Sequence, residues 1–408
     1  MAGLACANWL HRAGRSCLVL EAADGVGGRV RTDVTSDGFR LDRGFQILLT
    51  DYPEARRMFD YGALNLKMYE SGAVIRLANG KETVLENPMH VPLAAFAALG
   101  SPIGTLKDKL LIAKFVAELQ GKSPEQLLAR PAETTLDFLQ RYGWSNQIIN
   151  SFFRPFFGGV YLDRELNTAS NFFAFVFQQF AKGEAAVPAL GIQQLPEQLA
   201  SRLPAGTVRL DSPVAAVADG GRTVHLASGE TLRAATTVLA TDGPAAAQLL
   251  EGALPAPTTV AARATTCTYF TTAGAAPSHG RGLLHLNAAP HSLVHNVAFP
   301  AEISSAVAPS GQGLVSVSTH GEHGLSDTDL TIRLRTELAA WFGPTAELWQ
   351  HLRTYHIPQA LPAYGPGQPV QQPLRLTDNL LRCGDWVSYP SLNAALGTGR
   401  QAAEMLLG

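Results

Sequence analysis

The chain has 408 residues, of which 46% are hydrophobic and 16% charged, so it can bury a large interior and is not disordered. A chain of this length usually folds as two lobes rather than around a single core. The formal net charge of −2 gives no electrostatic attraction to nucleic acid, which is therefore not expected as a partner.

The cysteines and histidines follow neither a disulfide nor a metal-site pattern. The four cysteines are scattered without a CxxC pair, which predicts free thiols and a reducing, cytoplasmic location. No HExxH spacing occurs, and His285, His291 and His295 are interpreted as loop or core residues, so no metal is expected. The cysteines are Cys6, Cys17, Cys267 and Cys383.

Neither a signal peptide nor a transmembrane span is predicted. The N-terminus lacks a basic segment followed by a continuous apolar run. The uncharged stretch of residues 89–106 is nearly long enough to span a bilayer, but two prolines and two glycines interrupt it. It is interpreted as a buried or interfacial segment, and a peripheral membrane contact through the apolar part of residues 90–119 stays open.

The predicted elements begin with a helix over residues 2–13, which Gly14 ends, and a short buried strand over residues 16–21. This is the order of a dinucleotide-binding fold, in which the helix N-terminus faces a pyrophosphate and an acid at the strand end binds ribose hydroxyls. Gly3 lies where the third glycine of a G-x-G-x-x-G motif belongs, and Glu21 follows it at the expected distance.

The earlier part of this motif is absent from the sequence. We therefore expect Met1 to be an internal residue of the glycine-rich loop, preceded in the genome by a Val/Ile-rich strand and Gly-x-Gly. An ordinary helix–strand pair is the alternative, and these residues alone do not separate the two. Without that strand its neighbours would expose unpaired backbone groups, so weak cofactor binding is expected.

Two motifs after Glu21 favour the nucleotide-binding interpretation. The segment GVGGR ends in Gly28 and Arg29, where adjacent glycines allow close approach to a diphosphate and arginine supplies a fixed positive fork. Residues 32–42 then predict a two-stranded excursion that leads into a D-x-G turn ending at Gly44.

With these motifs the sequence resembles the flavin-containing amine oxidase superfamily, which also holds phytoene desaturases and protoporphyrinogen oxidases. The matching segments are MAGLACANWLHRAGRSCLVLEAADGVGGRVRT and GFRLDRGFQI. The resemblance implies non-covalent FAD, with Gly3 at the phosphate loop, Glu21 at the adenosine ribose, and Gly28 and Arg29 along the pyrophosphate. It also implies a segment close to the flavin ring, which consists of Arg43, Gly44, Phe45 and Gln46.

Short strands are predicted further along the chain, over residues 208–210, 214–217, 223–227 and 237–241. Alone they form a generic β-meander. They also resemble the family's adenine-binding stretch, which implies that the backbone of Val214 contacts adenine.

The C-terminal segment carries the most specific pattern. Gly384 and Asp385 follow an apolar strand, and a helix with small residues on one face is predicted over residues 391–407. The family resemblance implies that Asp385 binds the ribityl–phosphate region. It also implies that the helix N-terminus, with Leu392 and Asn393, points its free N–H groups at the flavin pyrimidine.

These segments predict an α/β fold with a Rossmann-like FAD-binding lobe built from discontinuous segments, its first strand missing, and an α+β substrate or cap lobe. The aromatic segments 152–161 and 171–177 predict a packed helical core, or alternatively the lining of an apolar substrate cavity. The FAD-binding lobe comprises residues 1–60, 185–250 and 372–408, and the cap lobe comprises 61–184 and 251–371.

Three absences narrow the chemistry. No lysine follows Lys182, although amine oxidases of the family typically place one near flavin N5 in the second half of the chain. Ser391 stands where a substrate-caging tyrosine would lie, and no second glycine-rich motif for NAD(P)H is present. Residues 356–364 look more like the desaturase and protoporphyrinogen oxidase branch, and Tyr364 and Tyr389 are interpreted as packing residues.

The resulting hypothesis is an FAD-dependent oxidoreductase that oxidises an apolar or conjugated small molecule, in a desaturase-like reaction, by hydride transfer to flavin N5. The electron acceptor is unknown and no catalytic base is assigned. One alternative is a flavin amine oxidase that releases hydrogen peroxide. Another is a flavin-free, non-catalytic remnant whose phosphate loop is incomplete.

Overall fold

The computed structural model describes residues 1–86, 101–250, 261–274, 276–278 and 280–408. Most of the uncharged stretch 89–106 therefore lies outside the described residues. Within the described ranges, no helix is both long enough and apolar enough to cross a membrane.

Helices occur along the whole chain. They are α1 (Ala2–Arg12), α2 (Pro53–Met58), α3 (Tyr61–Leu64), α4 (Leu106–Leu119), α5 (Pro124–Leu128), α6 (Thr135–Tyr142), α7 (Asn146–Ile148), α8 (Arg154–Tyr161), α9 (Ser170–Lys182), α10 (Gln194–Ala200), α11 (Gly243–Leu249), α12 (Pro300–Ile303), α13 (Asp327–Phe342) and α14 (Leu392–Leu407).

Most strands are short, and the longest ones come from the second half of the chain. They are β1 (Val19–Leu20), β2 (Thr32–Val34), β3 (Arg40–Asp42), β4 (Leu48–Leu49), β5 (Leu66–Met68), β6 (Gly72–Arg76), β7 (Glu82–Glu86), β8 (Ala185–Pro188), β9 (Val208–Arg209), β10 (Val214–Ala218), β11 (Thr223–Leu226), β12 (Thr231–Arg233), β13 (Thr237–Leu239), β14 (Ala262–Ala273), β15 (Leu284–Asn287), β16 (Asn296–Ala298), β17 (Gln312–His320), β18 (Gln350–Pro362), β19 (Arg375–Thr377) and β20 (Leu380–Arg382).

The first lobe is assembled from pieces distant in sequence. β1 pairs in parallel with β9, and β13 pairs in parallel with β20, whose other neighbour is β19. The antiparallel meander β10-β11-β12 follows β9 in the chain. The first helix, the β2–β3 hairpin and the C-terminal helix form where the sequence predicts them. The predicted first strand is shorter, because only Val19 and Leu20 pair with the neighbouring strand.

A seven-stranded sheet forms the main layer of the second lobe, in the order β18-β14-β17-β16-β15-β6-β7. Its strands are antiparallel except for the parallel pair β15–β6. Since β6 and β7 precede the helical segment and the other strands follow β13, this sheet too is discontinuous in sequence. The residue bounds proposed for the two lobes stay a prediction.

Helices α4 to α9 form a layer with a dense aromatic core. Phe115, Phe153 and Phe173 are fully buried, and the ring of Phe173 stacks on Phe115 at 5.8 Å and meets Phe153 edge-on at 5.9 Å. At the start of α4, Thr105 and Asp108 form a reciprocal capping box that satisfies free N–H groups. The aromatic segments therefore form the packed core that was predicted, and part of their surface also faces a cavity.

Candidate functional site

One large cavity runs between the two lobes. Its volume is about 2030 Å³, twice the upper end of the 300–1,000 Å³ typical of a single small-molecule site. Its walls come from helices α1 and α14, from the loop of residues 25–29 (the GGR loop), from helices α4, α8 and α9, and from the seven-stranded sheet. The cavity is thus large enough for a dinucleotide together with a second molecule.

The N-terminus of α1 and the end of β1 form one wall. Gly3, in the first turn of α1, packs so tightly that an added Cβ would lie 3.0 Å from the Cβ of Ala240. Glu21 follows β1, and its backbone N–H donates to the carbonyl of Arg209 at 3.0 Å. One oxygen of its carboxylate accepts a bond from the Ala23 N–H, and among described residues the other has no partner, so it is available to a ribose hydroxyl.

The GGR loop brings Arg29 to the centre of this end. Gly27 and Gly28 have φ of +121° and +63°, and a Cβ at Gly27 would lie 2.3 Å from the Val30 carbonyl oxygen. Arg29 Nη2 donates to Asp385 Oδ1 at 2.6 Å, and this carboxylate raises the pKa of the guanidinium. The Arg29 side chain keeps 36% of its surface exposed, which leaves it able to contact an anion in the cavity.

The segment from Arg43 to Gln46 lies against the same wall. Gln46 Nε2 donates to the carbonyl oxygens of Arg29 and Arg43, at 2.9 and 3.1 Å, and so joins the two motifs. The guanidinium of Arg43 itself pairs with Asp33 at 2.8 Å. Gly44 has a φ of +98°, and a Cβ there would lie 2.7 Å from Cδ1 of Ile357 in β18, so the sheet presses directly on this segment.

The C-terminal motif completes this end of the cavity. Gly384, at φ +144°, donates its N–H to Thr398 Oγ1 at 3.0 Å. This bond connects the turn formed by Gly384 and Asp385 (the GD turn) to α14. Ser391 caps α14 by accepting the N–H of Ala394 at 3.0 Å, and Leu392 faces the cavity. Asn393 does not line the cavity. Its amide N–H instead donates to the Tyr389 hydroxyl, and its amide oxygen accepts the Glu54 N–H, both at 2.9 Å. Asn393 therefore joins α14 to α2.

The part of the cavity beyond this end is mostly apolar. Side chains of α8, α9 and the preceding turn line it, including Phe152, Phe156, Phe177 and Phe180. Tyr364 and Tyr389 lie outside the cavity wall and pack against Phe172, with ring centroids 5.9 and 5.6 Å away.

The structure thus gathers all but one of the predicted cofactor residues around one cavity. Those that line it are Gly3, Glu21, Gly28, Arg29, Arg43, Gly44, Phe45, Gln46, Val214, Gly384, Asp385 and Leu392. Sequence reasoning missed the polar residues that the sheet contributes, which are His295, Asn296 and His320. No motif marks them, because strands distant in sequence bring them together.

The residues present fit a flavin dinucleotide. Helix N-termini with free N–H groups, a diglycine turn and an exposed arginine suit a pyrophosphate. A strand-terminal carboxylate suits a ribose, and the volume accommodates an extended ligand.

Comparison with known proteins agrees with this geometry. Residues 1–407 match the model of the family described as flavin containing amine oxidoreductase. Putrescine oxidase of Kocuria rosea is 28% identical over 243 residues, which is 54% of this chain and 48% of that protein. The matched region thus spans about half the length of this curated relative.

Two solved structures share the fold over nearly the whole chain. A redesigned putrescine oxidase superposes with a TM-score of 0.74 at 18% identity, covering 100% of this chain and 96% of that one. A protoporphyrinogen oxidase-like protein from Exiguobacterium sp. 255-15 has a TM-score of 0.75 at 17% identity, covering 99% and 96%. The predicted family resemblance and fold class are confirmed.

Proposed function

The chain belongs to the flavin-containing amine oxidoreductase family, and on that premise we propose that it is an FAD-dependent oxidoreductase acting on an apolar or conjugated small molecule. The reaction class proposed is a desaturase-like removal of two electrons and two protons from the substrate. When bound, the flavin supplies the electron sink by accepting hydride at N5.

The observation that carries this proposal is the continuity of the cavity. The same space that Arg29 and Asp385 border extends to the rings of Phe156 and Phe177. These rings exclude water and hold an apolar molecule beside the segment around Gly44. Arg29 and the N-terminus of α14 would bind the cofactor's negatively charged parts, with the helix dipole favouring negative charge there.

The carboxylates around the cavity favour an apolar substrate over an amine. Among the described lining residues, Glu70 and Glu86 pair with Arg281, and Asp385 pairs with Arg29. Glu21 and Asp242 each accept only a backbone N–H, but both belong to the end of the cavity assigned to the cofactor, Glu21 after β1 and Asp242 close enough to Arg29 to raise the pKa of its guanidinium. An ammonium group in an apolar cavity needs a carboxylate that is not otherwise engaged. The alternative, amine oxidation with release of hydrogen peroxide, is favoured by the similarity to putrescine oxidase.

Non-covalent attachment of FAD is part of the proposal. Cys383, beside the GD turn, is fully buried and does not face the cavity. Burial also raises the pKa of Cys6, which does line the cavity, to about 12, so its nucleophilic thiolate is disfavoured. All four cysteines are free thiols, which supports a reducing, cytoplasmic location.

Peripheral membrane contact is proposed at α4. Leu106 and Leu110 on its outer side are 61% and 65% exposed, while Ile112 and Val116 of the same helix line the cavity. An apolar substrate would then enter beside this helix from a lipid surface. Cosedimentation with phosphatidylcholine vesicles tests this, and binding that is unchanged in Leu106→Glu/Leu110→Glu would contradict it.

The cofactor is tested first and the reaction second, both on the purified full chain. The visible absorbance spectrum is recorded, and the cofactor released by heating is identified by chromatography. We expect a flavin spectrum and free FAD, without covalently retained flavin. The protein is then mixed anaerobically with a panel of polyenes, porphyrinogens and primary amines, and bleaching of the flavin band is followed.

We expect bleaching by a member of the apolar group and none by amines. Bleaching by a primary amine, with hydrogen peroxide formed in air, would instead establish the amine oxidase alternative. A purified protein that neither contains nor takes up FAD would establish the flavin-free alternative.

A further inference from the structure

The cavity has a polar end on the seven-stranded sheet that the cofactor motifs do not explain. His320 is the last residue of β17, and His295 immediately precedes the neighbouring strand β16. Their ring centroids lie 4.0 Å apart, and both side chains line the cavity. Asn296 lines it beside them.

Four polar atoms at this end have no hydrogen-bond partner among the described residues: both ring nitrogens of His295, Nε2 of His320 and Oδ1 of Asn296. His295 is 2% exposed and Asn296 is 6% exposed. The Pro155 carbonyl is close enough to favour a charged His295 ring, but it lacks the geometry of a hydrogen bond. A buried polar atom without a partner costs about 1–3 kcal/mol, so a bound oxygen group that supplies these partners would stabilise this end of the cavity.

Gly159 in α8 makes room for the buried histidine. A Cβ on Gly159 would lie 2.5 Å from His295 Nε2 and 3.1 Å from its Cδ2. Glycine inside a helix costs about 1 kcal/mol relative to alanine, so Gly159 has a packing role. The helix can therefore approach the ring and hold it at the cavity wall.

The electrostatics of this end favour an uncharged ligand group. Burial, together with His320 and Arg164, holds the pKa of His295 well below its ordinary value. Burial, followed by Arg164 and His323, lowers the pKa of His320 to about 4. At neutral pH both rings are thus neutral, and each offers one donor and one acceptor. Neither neutral ring supplies the counter-charge that a buried carboxylate needs, and Arg164, which donates to the Ser292 and Ala289 carbonyls and does not line the cavity, disfavours an ammonium by its positive charge.

The register of the sheet gives the distance between this polar end and the segment from Arg43 to Gln46, which is expected to lie close to the flavin ring. Thr265 of β14 pairs with His320 on one side and with Ile357 on the other, so all three share one face, and all three line the cavity. Two strand spacings place His320 roughly 10 Å from Ile357. Ile357 in turn packs against Gly44.

We propose that His295, His320 and Asn296 bind a hydroxyl or carbonyl group of an otherwise apolar substrate, at the opposite end of the molecule from the bond that is oxidised. This inference rests on the proposed function for the identity of the bound molecule as a substrate. The oxygen group then fixes how far the substrate enters the cavity. It thereby determines which bond of the substrate lies beside the segment at Gly44.

The test uses ligands that share one alkyl chain and differ only at the head group. Binding of 1-decanol, decanoate and decylamine to the full chain is measured by isothermal titration calorimetry below their micelle concentrations. We expect decanol to bind at least about tenfold more tightly than either charged analogue, the difference expected for one satisfied hydrogen bond. His295→Leu and His320→Leu should each weaken decanol binding about tenfold, whereas His320→Gln, which keeps a donor and an acceptor, should retain most of it.

His285→Leu is the matched control, since His285 is buried in the same sheet but packs against Phe299 and Phe342 and does not line the cavity. Equal binding of all three head groups, or an equal loss in His285→Leu, would overturn the proposal. The calorimetry does not depend on turnover, so its failure is distinct from failure of the proposed function, which the flavin spectrum and the bleaching assay report.

Discussion

At the scale of single residues, Asp42 shows how burial changes the chemistry of a motif position. Its Oδ1 accepts the Thr32 hydroxyl at 2.6 Å and the Ile192 N–H at 3.0 Å, which ties the β2–β3 hairpin to the segment entering α10. Burial dominates over these bonds and raises the pKa of the carboxyl to about 6. An acid whose pKa is raised by folding stabilises the fold below its unfolded pKa, and this contribution is lost as the pH rises through about 6.

We predict that Asp42→Asn removes this pH dependence. The asparagine Oδ1 still accepts both bonds, but the side chain no longer ionises in the hairpin. The free energy of unfolding of the variant, relative to the parent, should therefore increase by up to about 3 kcal/mol between pH 4 and pH 7.

Urea unfolding at a series of pH values measures this difference. Asp37→Asn, in the exposed turn of the same hairpin, removes a carboxylate without touching these contacts and serves as the control. A difference between parent and Asp42→Asn that does not change with pH would contradict the prediction.

The predicted residues that line the cavity lie in short local motifs. Gly28, Arg29 and Gly384 belong to turns whose backbone geometry only a few residues permit, so their places could be predicted without knowing the partners. Asn393 lies in the first turn of α14, as predicted, but its side chain faces Tyr389 and Glu54 rather than the cavity. The direction of a side chain within a helix turn depends on the elements that pack against the helix. His295 had no local signal, since its neighbours come from α8 and β17.

At the scale of elements, the contact between α1 and α14 positions two helix N-termini at the cavity. A Cβ on Gly399 would lie 2.2 Å from the Ala2 carbonyl oxygen and 3.1 Å from the Ala5 Cβ. On Gly397 the nearest atom would be the flexible Glu54 Cγ at 3.4 Å. The two glycines share a helix and differ only in what an added methyl group meets.

We predict opposite effects for Gly399→Ala and Gly397→Ala. Alanine is favoured over glycine in a helix by about 1 kcal/mol, so Gly397→Ala should be neutral or slightly stabilising. Gly399→Ala forces the backbone of α1 away and should destabilise the protein by about 1–3 kcal/mol. Urea unfolding of both variants checks this, and equal stability of the two would show that the helices are not in close contact.

The elements themselves were predictable where the pattern is local. α1, α14 and the β2–β3 hairpin carry their own period and turn residues, whereas β1 is shorter than its apolar run because pairing with β9 limits it. The seven-stranded sheet could not be derived from the sequence. Its parallel pairing joins β6 to β15 across some two hundred residues, and no local pattern encodes such a partner.

At the scale of the whole molecule, the proposed cofactor would contact segments from both ends of the chain. Gly3, Arg29, Val214 and Leu392 border the same cavity although they belong to four separate segments. A ligand that requires all four segments binds only the folded protein and stabilises it by RT ln(1 + [L]/Kd), about 2.7 kcal/mol at one hundred times Kd. We therefore predict that added FAD raises the melting temperature by several degrees, in a concentration-dependent way.

Arg29→Gln should reduce this shift, because it removes the guanidinium that faces the cavity beside Asp385. Arg209→Gln is the control, since Arg209 pairs with Glu230 on the exposed surface and does not line the cavity. Differential scanning fluorimetry over a range of FAD concentrations gives the apparent Kd of each protein. Losing one charge-assisted contact to a phosphate should weaken FAD binding roughly tenfold or more in Arg29→Gln alone. An equal loss in both variants would show that the effect comes from net charge, and the assignment of Arg29 to the pyrophosphate would then be wrong.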